Sequence, residues 1–140
     1  MKIDIDLKGM DKALADLRRT SERAEQAVYD HVLDLAKLAH ATAVRGISSG
    51  PASGQVYGKR RHRASAPGEY PMQDTGRLAG NIEMEPPTSG ERPVAYVGTS
   101  LGYGAYLELK PSSKGGRPWL SRAVREAALQ LRRDLEKRMR

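Results

Sequence analysis

The chain has 140 residues, a length that suits one domain with a modest core. It contains no cysteine, which excludes disulfides and thiolate metal sites, and no apolar run approaches the roughly 20 residues that span a bilayer. The N-terminus lacks the apolar core of a signal peptide, so we expect a protein that is cytosolic when it is made. The formal net charge is +7.

Positive charge is concentrated in two segments. Residues 45–77 hold six Lys and Arg against two Asp and Glu, and residues 114–140 hold nine against three. This asymmetry predicts an acidic partner, either nucleic acid or an acidic protein surface.

The first predicted elements are a short strand and a long helix. Alternation of Ile3, Ile5 and Leu7 with charged residues predicts a half-buried strand. Asp11 is a favoured N-cap, and residues 11–47, free of Gly and Pro as far as residue 45, predict one helix roughly 55 Å long, more than a small domain needs. One face of this helix carries residues spaced alternately by three and four: Leu14, Leu17, Ser21, Ala24, Val28, His31, Leu35, Leu38 and Thr42. The middle of this face is small or polar at Ser21, Ala24 and His31, which disfavours a full coiled coil. We therefore interpret the helix as packed on a sheet, with its N-terminal half reaching a neighbouring subunit.

A change of composition predicts a long flexible loop inserted at residues 47–76, rich in Gly, Pro and Ser. We expect this loop to be mobile in an isolated subunit and ordered in an assembly. A basic run lies at its centre: Lys59, Arg60, Arg61, His62 and Arg63.

A helical turn and two strands are predicted next. Thr75 or Asp74 would cap a turn over residues 76–80. Residues 81–85 and 94–99 predict strands joined by a proline-flanked turn.

The C-terminal part predicts a third strand at residues 103–109, a polar loop and a terminal helix. Pro118 suits the first turn of that helix. Its apolar face comprises Leu120, Val124, Ala127 or Ala128, Leu131 and Leu135. The predicted fold class is α+β: one domain over residues 1–140, with an antiparallel sheet of about four strands flanked by the long N-terminal helix and the C-terminal helix.

The tripeptide Asp74-Thr75-Gly76 matches that of aspartic proteases. Their chemistry needs two carboxylates side by side, which a homodimer could supply. The flanking Pro-Met-Gln and Arg77 are unlike an apolar strand context, so we favour a helix cap.

The histidines predict no metal site. His31 and His40 are nine residues apart, and no cysteine or carboxylate pattern completes a ligand set. We expect His31 at a packing edge and His40 and His62 in solvent. No nucleophile elbow or phosphate-binding glycine motif is present, so the sequence predicts no catalytic residue, metal or cofactor.

The basic run at residues 59–63 has two interpretations: a solvated, flexible loop, or a contact with DNA or an acidic subunit. Phosphate contacts need only Lys and Arg on a tether, whereas no recognition helix adjoins the run. Arginines of the last helix are explained by the helix dipole and by solubility: Arg122, Arg125, Arg132, Arg133, Arg138 and Arg140.

Three short blocks stand out by their order and spacing: SAPGEYPMQDTGRL at residues 65–78, YGAYLE at 103–108 and RPWL at 117–120. They resemble the tail-completion proteins (head–tail joining or neck proteins, minor tail components) of long-tailed bacteriophages. That family has a Pro-Gly-x-x-Pro loop leading into Thr-Gly-x-Leu, a tyrosine-rich strand ending in Glu, and an Arg-Pro-aromatic-Leu entry to the last helix.

The resemblance implies structural roles for the matching residues. The residues of the first block would shape the loop: Pro67, Gly68, Pro71, Thr75, Gly76 and Leu78. Those of the second would hold the third strand and the segment that follows it: Tyr103, Tyr106 and Glu108. Those of the third would anchor the last helix against the sheet: Arg117, Pro118, Trp119 and Leu120. Two positions depart from the family pattern. Leu109-Lys110-Pro111 stands where an aromatic-Gly-Thr is common, and Trp119 replaces the usual Phe.

By this resemblance the chain is a non-enzymatic virion structural protein at the phage head–tail junction, assembled in the host cytoplasm. It would form one ring, sixfold, of a stacked neck. The expected partners are other copies of itself, the adaptor or head-closure ring, the tail terminator or tube, and the DNA in the lumen, with no membrane or small-molecule substrate. The alternative is a small sequence-independent DNA-binding protein acting through the basic loop and C-terminal helix.

Overall fold

A computed structural model describes residues 8–90 and 92–140, with side chains at residue 12 and from residue 15 onward. The elements are four helices, a 3-10 turn and four strands, in chain order α1 (Lys8–Ser49), β1 (Val56–Tyr57), β2 (His62–Arg63), α2 (Arg77–Gly80), β3 (Ile82–Glu85), β4 (Tyr96–Thr99), α3 (Gly102–Leu109), the 3-10 turn (Ser112–Lys114) and α4 (Leu120–Arg138). The strand predicted at Ile3, Ile5 and Leu7 lies outside the described residues.

The predicted long helix is confirmed as α1, which has 42 residues and is about 63 Å long. It begins at Lys8, so the predicted N-cap at Asp11 is wrong. The C-terminal part is buried at intervals of three and four residues through Ala36, Ala39, Ala43 and Ile47. By contrast, every side chain from residue 15 to residue 28 is exposed. We call residues 15–31 the arm, because this part of α1 extends beyond the packed body.

The predicted terminal helix is confirmed as α4, which packs chiefly against α1. Ala123 and Ala127 are fully buried, whereas Val124 and Leu135 of the predicted apolar face are exposed. Ala127 belongs to the predicted face, and Leu120 and Leu131 are half-buried, so the face is confirmed in part and its buried centre lies toward Ala123. The buried alanines of α1 and α4 present little bulk and allow the two helix axes to approach closely.

The two predicted strands after α2 are confirmed as the antiparallel pair β3 and β4, with Ile82 opposite Thr99 and Glu85 opposite Tyr96. A second antiparallel pair, β1 and β2, forms a hairpin. The described residues thus hold two separate two-stranded sheets, not the predicted single sheet of about four strands.

The predicted third strand at residues 103–109 is wrong, because this segment forms helix α3. The spacing from Tyr103 to Tyr106 and Leu107 is three and four residues, which suits a helix as well as an aromatic strand. Leu107 is buried, and Gly104 lies so close to its neighbours that a Cβ there would be 2.6 Å from Thr99 Cγ2.

The loop predicted at residues 47–76 contains the β1–β2 hairpin and a segment packed on the end of α1. Tyr70 is buried there, and Gln73 N–H donates to the carbonyl of Ile47 at 3.2 Å. The mobility of this loop stays a prediction. The helical turn after it is confirmed as α2, but Gly76 with φ of 75° is its N-cap and no side chain bonds there, so capping by Thr75 or Asp74 is wrong.

One apolar cluster joins these elements into a core: Ala43, Ile47, Tyr70, Leu78, Ile82, Leu107, Trp119 and Ala123. The described part of the chain contains no helix with the length and apolar character to cross a membrane.

Candidate functional site

Glu108 caps helix α4 from a different element. Its carboxylate accepts hydrogen bonds from the backbone N–H groups of Trp119 at 2.7 Å, Leu120 at 2.8 Å and Ser121 at 3.1 Å. Partial burial opposes ionisation, but the bonds from Ser121, Leu120 and Trp119 prevail and lower the pKa of Glu108. A carboxylate at a helix N-terminus also matches the helix dipole. Pro118, predicted inside the first turn, precedes the helix by two residues.

Trp119 joins the start of α4 to α3. Its side chain is 1% exposed, and the indole Nε1 donates to the carbonyl of Gly104 at 2.9 Å. The anchor predicted at this position therefore holds the helix against α3 and the core cluster, not against a sheet strand at residues 103–109.

Arg117 connects the third motif block to the first. Its Nε and Nη2 donate to the carbonyl of Ser65 at 3.2 and 2.7 Å, and Nη1 donates to the carbonyl of Gly115 at 3.0 Å. The N–H of Gly68 donates to the carbonyl of Gly116 at 3.1 Å. The guanidinium bonds and this backbone bond together join the loop before α4 to the loop that contains Ser65 and Gly68.

Glu69 organises the loop of the first block. Its carboxylate accepts bonds from the Ser53 hydroxyl and from the N–H of Ala66 at 2.8 Å. These two bonds, with the Ser53 hydroxyl as the larger cause, lower the pKa of Glu69. Nothing in the sequence separates Glu69 from a solvent-facing glutamate, because Ser53 lies 16 residues away.

Arg122 of α4 is engaged with Tyr70. The guanidinium lies 4.6 Å from the centre of the Tyr70 ring and donates to Glu126 Oε1 at 2.9 Å and to the carbonyl of Gly68 at 3.1 Å. The Tyr70 hydroxyl donates to Glu126 Oε2 at 3.0 Å. Burial, followed by this bond, raises the pKa of Tyr70. Arg122 is thus a structural residue, not only a solubilising one.

The basic run forms the tip and second strand of the β1–β2 hairpin. Lys59, Arg60 and Arg61 lie exposed in the turn, where Arg61 adopts a left-handed φ of 52°. Among the residues that the structure describes, no carboxylate lies within 4.0 Å of these three cations. Arg63 is exposed and donates to the carbonyl of Gly54 at 3.3 Å. The turn therefore presents unneutralised charge at a projecting tip.

His62 does not face solvent as predicted. Its side chain is 26% exposed, and Nδ1 lies 3.8 Å from Oδ1 of Asp74. Both residues line a groove of about 700 Å³ between the hairpin, residues 71–78 and α3, together with Tyr57, Arg77 and Tyr103. Asp74 is itself 61% exposed, which is unlike the enclosed carboxylate pair of an aspartic protease.

The other histidines also differ from expectation. His40 is half-buried and its Nε2 lies 2.9 Å from the carbonyl of Ile82, whereas His31 is exposed on the arm. Within residues 8–90 and 92–140, no cluster of three His, Asp or Glu side chains has the geometry to hold a metal ion.

No protein-family model, curated protein or solved structure matches the chain.

Proposed function

We propose that this chain is a non-enzymatic virion structural protein that forms a ring at the phage head–tail junction, where it completes the tail and joins it to the head. The observation that carries the proposal is the mutual support of the three motif blocks. Glu108 of the second block caps the helix entered by the third, and Arg117 of the third holds Ser65 of the first. Motif residues used in this way maintain a scaffold instead of lining a reaction centre.

Two exposed surfaces support a role in assembly. The arm extends beyond the packed body, and all its side chains from residue 15 to residue 28 are exposed in the described structure. On α3, the side chains of Tyr103, Tyr106 and Leu109 are all exposed. Exposed aromatic and aliphatic groups close together are typical of a surface that another subunit covers.

The experiment is light scattering of the purified protein across a salt series, followed by negative-stain microscopy of the protein alone and with a purified phage connector and tail. The proposal expects a ring-sized species, or a smaller species that enters rings only when the connector or tail is present. Failure to associate with either structure under all conditions would contradict it.

The hairpin favours a second candidate, a small sequence-independent DNA-binding protein. Its exposed, unneutralised Lys59, Arg60 and Arg61 are suited to phosphate contacts, and the C-terminal helix adds further basic residues. Fluorescence anisotropy with a labelled duplex distinguishes the two. The second candidate expects tight binding that falls steeply between about 50 and 200 mM salt, whereas the neck proposal expects little affinity for free duplex.

A further inference from the structure

The arm carries an apolar seam that nothing in the described structure covers. Leu17 is 66% exposed and Val28 is 46% exposed, with Ser21 and Ala24 exposed between them. These four residues follow the alternating spacing of three and four residues that places side chains on one face of a helix. The small residues lie at the centre of the seam and the large ones at its ends.

The seam continues directly into an apolar groove of about 300 Å³ on the body of the protein. Val32 and Leu35, on the same side of α1, line this groove with Tyr96 of β4 and Val124 of α4. A helix that packs on the arm can therefore extend past His31 onto the apolar surface of the body.

The charged residues beside the seam determine which helix can pair with it. Arg18 follows Leu17, and Glu25 follows Ala24, so both flank the seam on the same edge. Both are exposed, and in the described part of the chain neither takes part in an ion pair within 4.0 Å. A second copy of α1 lying antiparallel, with Leu17 beside the partner's Val28, places Arg18 opposite the partner's Glu25 and Glu25 opposite the partner's Arg18.

Other pairings of the same two helices are disfavoured by charge. A shift of seven residues one way places Arg18 opposite the partner's Arg18, and a shift the other way places Glu25 opposite the partner's Glu25. A parallel pair forms neither attraction and brings His31 against the partner's His31 at the end of the seam. Like charges at flanking positions act against a pairing, so this pattern specifies one orientation and one register.

We propose that the isolated chain forms a two-fold symmetric dimer through antiparallel pairing of the two arms, with Ser21 and Ala24 at the symmetry axis. The small residues there let the helices approach closely, and the start of the partner's α1 lies toward the groove at Leu35. The bodies of the two subunits stand at opposite ends of the pair. Because a two-fold contact closes on itself, this dimer is a state of the chain outside a cyclic ring and does not depend on the neck function.

The test is a charge swap followed by sedimentation equilibrium over a concentration series. The wild type is expected to form a dimer of two 15.4 kDa chains. Glu25→Arg places like charges at both flanking contacts and is expected to raise the dimer dissociation constant by about tenfold or more. Arg18→Glu is expected to act similarly, and the double variant Arg18→Glu/Glu25→Arg restores dimerisation.

The matched control is Asp30→Arg, the same charge change on the opposite side of the arm, which leaves the dimer unaffected. Since the chain has no cysteine, Ser21→Cys treated with a short bismaleimide gives an independent readout: it cross-links the dimer, whereas Arg19→Cys does not. A wild type that stays monomeric throughout the series, or a double variant no better than either single one, overturns the proposal. Neither outcome bears on whether the chain joins phage tails, which microscopy with connectors tests separately.

Discussion

At the scale of single residues, Glu108 has the clearest consequence for stability. Glu108→Gln retains the shape of the side chain but removes the charge and one acceptor oxygen that serve three N–H groups of α4. We expect a loss of about 1–2 kcal/mol in the free energy of unfolding, measured by urea denaturation. Glu83→Gln on the exposed side of β3 is the control and is expected to change little. Equal stability of the two variants would contradict the capping role.

The same carboxylate predicts a pH dependence. Its folded pKa is lower than the ordinary value of 4.5, so its contribution is complete above pH 4.5 and is lost as the pH falls through the folded pKa. The stability difference between the wild type and Glu108→Gln is therefore expected to be constant near neutrality and to shrink in acid. Urea unfolding at a series of pH values measures it. A difference that grows on acidification would show that the carboxylate is not stabilised in its ionised form.

At the scale of elements, the position of α3 depends on a glycine. A Cβ at Gly104 would lie 2.6 Å from Thr99 and 2.8 Å from Leu78, whereas nothing lies within 4 Å of a Cβ at Gly102 in the same helix. Gly104→Ala is expected to lower stability by about 1–3 kcal/mol through overpacking. Gly102→Ala is the matched control and is expected to be neutral or slightly stabilising. Thermal unfolding of both variants compares them, and similar melting temperatures would contradict the close packing of α3 on β4.

The same elements show what the sequence can predict. Helix α1 and the β3–β4 pair follow from local patterns, namely a run without Gly or Pro over residues 11–45 and short runs between turn residues. Segment 103–109 is predicted wrongly because its tyrosines suit both a strand and a helix, and its close contacts with Thr99 and Leu78 decide between them. The cap by Glu108 cannot be predicted from local sequence patterns, because the N–H groups that donate to its carboxylate lie 11–13 residues further along the chain. The basic run is visible in sequence, but its place at a hairpin tip is not.

At the scale of the whole molecule, net positive charge lies at the hairpin tip and along α4, whereas the arm holds three arginines against four acidic residues. Changing Lys59, Arg60 and Arg61 together to Glu lowers the formal charge from +7 to +1. Folding is expected to be unaffected, since these exposed cations have no carboxylate neighbour among the described residues. Under the neck proposal this variant joins connectors or tails poorly, because the tip loses its attraction for an acidic ring or DNA.

The matched comparison is Arg125→Glu/Arg133→Glu/Arg138→Glu, which makes the same change in net charge on exposed positions of α4 whose arginines have no carboxylate within 4.0 Å among the described residues. If long-range attraction alone guides joining, both triple variants fail equally, because each carries the same total charge. If the hairpin is the contact, only the hairpin variant fails, and the α4 variant joins at the wild-type level. Microscopy of connector or tail preparations mixed with each variant measures the fraction that is joined. If the hairpin variant joins normally, the hairpin tip is not part of the interface. The exposed tyrosines of α3 are then the surface to vary next.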